Sequence, residues 1–378
     1  MSFQTPRLAA LVALGVLATA PLTARDAVDS AIARGVDFLV EDQNVDGSWG
    51  SARRTKGLNI YAPIPGAHLA FRVAVTAMAV SALVDSGLAA EPGSAAEALS
   101  LGEAYLIENL PKVRRATADA IYNVWTHAYG IQALVDLYPL AEAGRREKIV
   151  DLVNGQIERL GRYESVDGGW GYYDFRVGSQ RPTSSSISFT TATCLIALHE
   201  AKALDGVEVP QDLVDRAVAS IERQRKPDHS YLYGEYLKAR PLYGINRPGG
   251  SLARSQACNY ALRLWGDESV TDEVVAEWLQ RLESRNGWLD IGRKRPIPHE
   301  TWFQVAGYFF YYGHYYAGRC IELLPETEQP EYRKLVADIV LDLQEKDGSW
   351  WDFPFYSYHQ AYGSAFAIMT LTRCRSGD

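Results

Sequence analysis

The chain has 378 residues, more than one ordinary core needs and few for three domains. Its 47% hydrophobic and 22% charged residues describe a globular protein and exclude a disordered one. A net charge of −8 speaks against nucleic acid as a partner.

Residues 1–24 read as an export signal. Arg7 supplies the positive start, Leu8 to Ala20 an apolar core, and small residues place cleavage near Ala24. The core is short for a membrane span, and a buried N-terminal helix is the alternative. No later stretch reads as apolar enough to cross a bilayer, so the mature chain, 25–378, is expected to be exported to the periplasm or outside the cell, with no stable span.

From there the chain alternates two kinds of helical pattern. Segments 27–42, 95–109, 145–160, 211–224, 272–284 and 331–345 carry apolar residues at three and four with charges between, the pattern of a helix with one wet face. Segments 68–87, 125–139, 188–204, 252–266, 301–324 and 361–374 are nearly free of charge away from their ends, so each must be buried almost all round. Between the two kinds lies a recurring turn: "QNVDGSWG" at 43–50, "VDGGWG" at 166–171, "RNGWLD" at 285–290 and "QEKDGSWWD" at 344–352. Asp46, Asp167, Asn286 and Asp347 are separated by about two, two and one periods of roughly sixty residues. "DHSYLYG" at 228 reads as a degenerate copy, and "IENLPK" near 107 keeps only a break. Six dry helices inside six wet ones make an all-α, (α/α)6 toroid of six helix-pair repeats, occupying 25–378 as a single domain. An open solenoid of helix pairs is the alternative.

In each turn the glycine (Gly47, Gly168, Gly287, Gly348) is expected to stop the outer helix in the left-handed conformation. The tryptophan (Trp49, Trp170, Trp288, Trp350) is expected to cover the gap between repeats, and Gln43 and Gln344 to bond freed backbone groups. Cys194, Cys258, Cys320 and Cys374 recur at packing positions of successive dry segments, with a disulfide left open.

"QNVDGSW" and "QEKDGSW" resemble the Q-W repeat of squalene and oxidosqualene cyclases, whose toroid is shared by protein prenyltransferase β subunits. The resemblance covers essentially the whole mature chain and implies the fold more than the chemistry. Class II cyclases protonate an alkene with an Asp-x-Asp-Asp run, and none occurs in this sequence; "SSSISFTTATCLIAL" stands where it would be needed. "YHQAY" at 358–362 is similar to the prenyltransferase segment that holds a zinc histidine, and "PHETWFQVAG" lies where the other ligands would be, without their cysteine. The resemblance thus implies a divalent metal held by His299, Glu300 and His359, the alternative being polar residues at a cavity mouth.

In a toroid the dry helices begin around one mouth, and the loops after each turn surround it. Those loops (51–67, 111–124, 171–189, 231–253, 289–301 and 351–358) carry a net +8, leaving −16 on the rest. Arg72 and Arg254, in the first turns of dry helices, are expected near the lumen, where helix N-termini also favour an anion. Solvated basic loops are the alternative. Trp125, His127, Trp302, Tyr308, Tyr358 and Tyr362 lie early in dry helices and are expected to line the lumen, to stack on a ligand or to pack.

Three functions fit. One is an exported cyclase/prenyltransferase-repeat protein with an apolar ligand in the lumen. A second is an acidic-polysaccharide lyase or glycan-binding toroid, with Arg72 or Arg254 neutralising a carboxylate and Tyr358 or His359, with Glu300 nearby, as catalytic groups. A third is a non-catalytic scaffold. An apolar lumen favours the first, a groove of Arg, His and Tyr the second, a plugged lumen the third. Whether the chain is an enzyme, and its oligomeric state, are open at this level; the ligand is expected to be a small molecule or glycan, anionic if the mouth is used.

Overall fold

The computed structural model describes residues 1, 23–56, 64–176, 181–183 and 185–375. All but the ends of the proposed leader, residues 2–22, lie outside that set.

Thirteen α-helices are described. Six are outer: α1 (Ala24–Asp42), α3 (Ser94–Asn109), α5 (Ala143–Tyr163), α7 (Gln211–Glu222), α9 (Asp272–Ser284) and α12 (Gln329–Leu341). Six are inner: α2 (His68–Ser86), α4 (Asn123–Leu137), α6 (Ser188–Ala201), α8 (Leu252–Leu264), α11 (Phe309–Ile321) and α13 (His359–Arg373). The thirteenth, α10 (Asn286–Asp290), is a single short turn after α9. Among the described residues there are isolated β-bridges but no strand.

The two sequence patterns sort the helices as physics requires. The charge-poor α6 buries twelve of its fourteen residues, whereas the amphipathic α7 buries five of twelve. Each inner helix packs on the next, α2 on α4, α4 on α6, α6 on α8, α8 on α11 and α11 on α13, and α13 returns to α2. The ring is therefore closed, and each outer helix covers the inner one before it, α1 covering α13.

The turns carry the closure. Trp49, Trp170 and Trp350 are fully buried. Each indole N–H donates to the carbonyl ten residues back, Leu39, Leu160 and Val340, at 2.7, 2.8 and 2.9 Å. Each backbone N–H donates to a hydroxyl of the following inner helix, Thr76, Thr191 and Ser364. Gly348 has φ +85°, and a Cβ there would lie 2.4 Å from the Arg34 carbonyl on α1. Glycine is thus required both by the backbone and by the next outer helix. Gln344 donates from Nε2 to Gly348 O and to Ala31 O on α1, both at 2.9 Å, so the last turn is fastened to the first helix. Gln43 does the same to Gly47 and Ala98.

Three expectations are corrected. Gly287 and Trp288 form no such turn: they lie in α10, and Trp288 is 40% exposed. The fourth copy is instead the degenerate one, where Tyr231 is fully buried and its N–H donates to Ser251 Oγ at 3.1 Å. Second, Pro65–Ser86 is long and apolar enough to cross a membrane, but 72% of that window is buried, because it contains an inner-ring helix. Third, the fifth inner helix starts at Phe309, eight residues after the segment expected from Thr301, which leaves Trp302 in a loop. The four cysteines are free and buried.

Candidate functional site

The ring encloses a cavity of about 750 Å³. Helical spacing builds its walls. Phe71, Ala74, Val75 and Met78 make one stripe on α2, Trp125 and Tyr129 another on α4, Tyr362 and Phe366 a third on α13. α11 contributes Phe309 and Tyr312, while α8 contributes no lining residue. In front of α8 the loop after the fourth turn supplies Tyr233 and Tyr236. Exposed Phe175 and Tyr236 mark the mouth, where the lining reaches solvent.

Seventeen of the twenty-five described lining residues are Phe, Tyr or Trp, and none of the described ones is Asp or Glu. Among the described lining residues, Arg176 and His299 are those able to carry positive charge. The floor is made by α11 crossing to α6, where the Tyr312 hydroxyl donates to the Phe189 carbonyl at 3.1 Å and lies 3.1 Å from Thr193 Oγ1. Beyond it, at the far ends of the inner helices, is a polar base. There Arg319 pairs with Glu200 at 2.6 Å and Arg373 with Asp85 around a void of about 20 Å³, room for one water. Asp136 lines that void, and burial with the nearby Asp85 and Glu200 charges pushes its carboxyl up to about 7.

Polar atoms in the cavity gather on one wall. The Tyr172 and Tyr233 hydroxyls bond to each other, as do those of Tyr122 and Tyr173. Tyr308 Oη lies 3.1 Å from His299 Nε2. His299 Nδ1 lies 2.7 Å from the Gln304 carbonyl, which can only accept, so Nδ1 carries the proton and Nε2 accepts from Tyr308. Burial holds the His299 imidazole below its usual pKa, which keeps it neutral.

Trp125, His299, Tyr308 and Tyr362 line the cavity. The other candidates are placed elsewhere. His127 is buried between rings, its Nδ1 2.8 Å from Gln156 Oε1 on α5, and burial depresses its pKa to about 3. Arg72 turns outward to Asp46, at 3.3 Å, and donates to the Gly50 carbonyl. Arg254 is fully buried behind the wall and donates to the carbonyls of Gly250, Tyr231 and Ile245 at 2.7, 3.0 and 2.6 Å. Trp302 is 81% exposed. Tyr358 sits one layer back, its hydroxyl donating to the His68 carbonyl at 3.2 Å.

The metal trio does not assemble. His359 is buried against Trp351, with Nδ1 2.6 Å from the Tyr356 carbonyl, and burial lowers its pKa to about 4. Glu300 is exposed and pairs with Arg295 at 3.5 Å. His299 is already bonded to Gln304 and Tyr308. Among the described residues no three His, Cys, Asp or Glu side chains come together as a metal would need. Several basic loop residues are paired: Arg115 with Asp174, Lys238 with Glu235, Arg293 with Asp290 and Lys294 with Glu345.

Tyr172, Tyr173, Phe175, Tyr233, Tyr236, Phe353 and Phe355 were not among the sequence candidates, yet they make much of the wall. Their signal was present in "GYYDF", "YLYGEY" and "FPF", aromatic runs in the loops that follow the turns.

No family model and no curated protein matches the chain. Solved structures do. Cellobiose 2-epimerase from Bacillus thermoamylovorans matches with a TM-score of 0.58 and 10% identity, over 91% of this chain and 99% of that one. An inactive variant of the GH76A α-1,6-mannanase from Salegentibacter sp., in complex with α-1,6-mannotriose, matches with a TM-score of 0.56 and 11% identity, over 92% and 98%. The GH76 α-mannanase of Bacteroides thetaiotaomicron matches with a TM-score of 0.56 and 10% identity, over 92% and 95%. At these identities the likeness establishes the fold and leaves the chemistry to the site. The chain is an α/α-toroid protein.

Proposed function

We propose that the lumen binds one elongated, apolar small molecule, and that binding rather than bond cleavage is what the cavity is built for. The observation that carries this is the lining, aromatic and aliphatic down to the floor, with no carboxylate among the described lining residues. A cavity of about 750 Å³ is of the size that encloses a ligand of drug-like mass or larger. Burial of an apolar body against such walls is favourable at about 25 cal/mol per Å² removed from water.

The glycan reading has its own support: a structural neighbour is held in complex with α-1,6-mannotriose, and aromatic rings stack on sugars. Glycoside cleavage, however, uses a pair of carboxylates flanking the bond, and the described lining offers none. A lyase would need its cation and base at one place, whereas Arg72, Arg254, Tyr358 and His359 all lie outside the lining. Export stays with the reading of residues 1–24 as a leader; the folded helix α1 begins at Ala24, beside the proposed cut.

The test is diphenylhexatriene fluorescence with the purified protein, followed by displacement with hexadecane, mannotriose and cellobiose. The reading expects a saturable rise in emission, reversed by hexadecane and untouched by the sugars. Ala74→Trp, which places an indole in the lumen, should abolish the rise. A protein that leaves the probe dark, or whose melting temperature rises with the sugars alone, overturns the reading.

A further inference from the structure

Resting on the reading of the lumen as an apolar binding cavity, we infer that its occupant is an amphiphile ending in a single carboxylate, and that the carboxylate is received by the phenol cluster of Tyr172, Tyr233 and Tyr308.

The cluster is a polar patch in a mostly apolar space. Tyr172 and Tyr233 share a hydrogen bond, and Tyr308 gives its proton to His299 Nε2. The pair Tyr172–Tyr233 has two protons, and their mutual contact uses one. The acceptors beside Tyr172 for the other are neutral phenols, Tyr308 among them. An ionised oxygen competes well for that proton, because hydrogen bonds to an anion are about twice as strong as neutral ones.

Charge points the same way, from an independent residue. Arg254 is fully buried, and its hydrogen bonds run to three backbone carbonyls, with none to a carboxylate. Its Nε is buried without a partner. The guanidinium lies 5.5 Å from the centre of the Tyr233 ring and 5.9 Å from that of Phe309, both cavity walls. Burial lowers its pKa, though only to about 10, so it is charged at neutral pH. A buried charge is ordinarily paired. The described lining contributes no carboxylate to balance this one, and a ligand carboxylate at the phenols would.

The same bookkeeping limits the headgroup. One buried guanidinium, with Arg176 out at the mouth, matches one negative charge; a diphosphate would bring more, and no metal-binding trio stands among the described residues to help. The tail then runs along Trp125, Tyr129, Met78 and Phe366 toward the floor.

The experiment displaces diphenylhexatriene from the purified full chain with palmitate, methyl palmitate and hexadecane. Palmitate should bind about tenfold more tightly than its methyl ester, the scale of one hydrogen bond to a charged group. Tyr233→Phe, and Tyr172→Phe with Tyr233→Phe, should shrink that ratio to about threefold or less, with the melting temperature measured beside them to confirm folding. Equal binding of acid and ester, or a ratio that survives the double variant, overturns the inference while displacement by hexadecane leaves the apolar cavity standing. Absence of any probe binding overturns both. Arg254→Met is the second arm: if it folds, the ratio should fall with the phenols intact, and an unchanged ratio counts against the inference.

Discussion

Trp350 and Trp288 each follow an Asx-Gly pair at the end of an outer helix, and each stands two residues before an aspartate. Trp350 is sealed, with its indole N–H on Val340 O, while Trp288 is 40% exposed and lies 4.4 Å from the Phe303 ring. Asp352 is buried and accepts from the Tyr311 N–H and the Tyr362 hydroxyl, while Asp290 is half exposed and pairs with Arg293. The difference is one residue. In Asp-Gly-Ser-Trp the serine N–H and hydroxyl bond back to Asp347 Oδ1, and the chain turns so that Gly348 N–H meets Glu345 O and Glu345 N–H meets Ser349 O. Asn286-Gly287-Trp288 lacks that residue; Trp288 N–H reaches Arg285 O and the chain runs on as α10. The spacing from acid to aromatic, three residues, makes the turn. Asp228-His229-Ser230-Tyr231 keeps it and forms the same bonds, with His229 at φ +54° in the glycine's place.

The largest way to break this contrast is Trp350→Ala. It empties a fully buried indole site at the ring's last turn, next to the seam held by Gln344, and should cost about 3–5 kcal/mol of stability. Urea unfolding followed by circular dichroism measures it. A loss under 1 kcal/mol would mean the turn does not carry the closure.

A second contrast is in pH. Burial pushes the Asp352 carboxyl up to about 7, with the Tyr362 and Tyr311 hydrogen bonds and Arg293 opposing. Because its folded value lies above its unfolded one, the native state binds the proton more tightly. The associated stability is therefore fully present below about pH 4, and is lost as pH rises to about 7. Asp136, at the base, adds a slope of the same sign over the same range. Asp352→Asn should remove part of the decline between pH 4 and 7. Thermal melts across that range decide; an unchanged slope in Asp352→Asn would place the titration elsewhere.

The two tryptophans also mark how far the sequence was legible. Ring and helix order follow from composition: a helix without charges must be buried, and alternation with wet helices leaves few architectures. The clamp at Gln43, Asp46, Gly47 and Trp49 was legible because its letters and its spacing agree. At 286–288 the letters were right and the spacing wrong, and letters alone misled. The site was less legible because a periodic pattern tells which helices are inner, and not which of their faces meets the lumen. His127 and Trp125 are two residues apart on α4, yet one faces α5 and the other the cavity. Arg254 was read toward the lumen from its place in the first turn of α8, but the loop of Tyr231–Tyr236 lies between that helix and the cavity. That loop's course was set by contacts distant in sequence, such as Glu235 N–H to the Ser186 carbonyl and Ser188 N–H to the Tyr233 carbonyl.

The smallest effect is the sharpest control. Trp288→Ala removes a side chain that keeps solvent contact and packs on Phe303 and Gly249, with Arg285 5.5 Å from its ring. An exposed aromatic pair is worth about 0.5–1.5 kcal/mol, so the variant should lose about 1 kcal/mol or less. If it loses as much as Trp350→Ala, burial is not what separates the two turns, and α10 belongs to the closure as much as the motif does. If it loses little, four turns with the acid three residues before a buried aromatic carry the ring, and Asn286-Gly287-Trp288 is a surface helix that shares their letters.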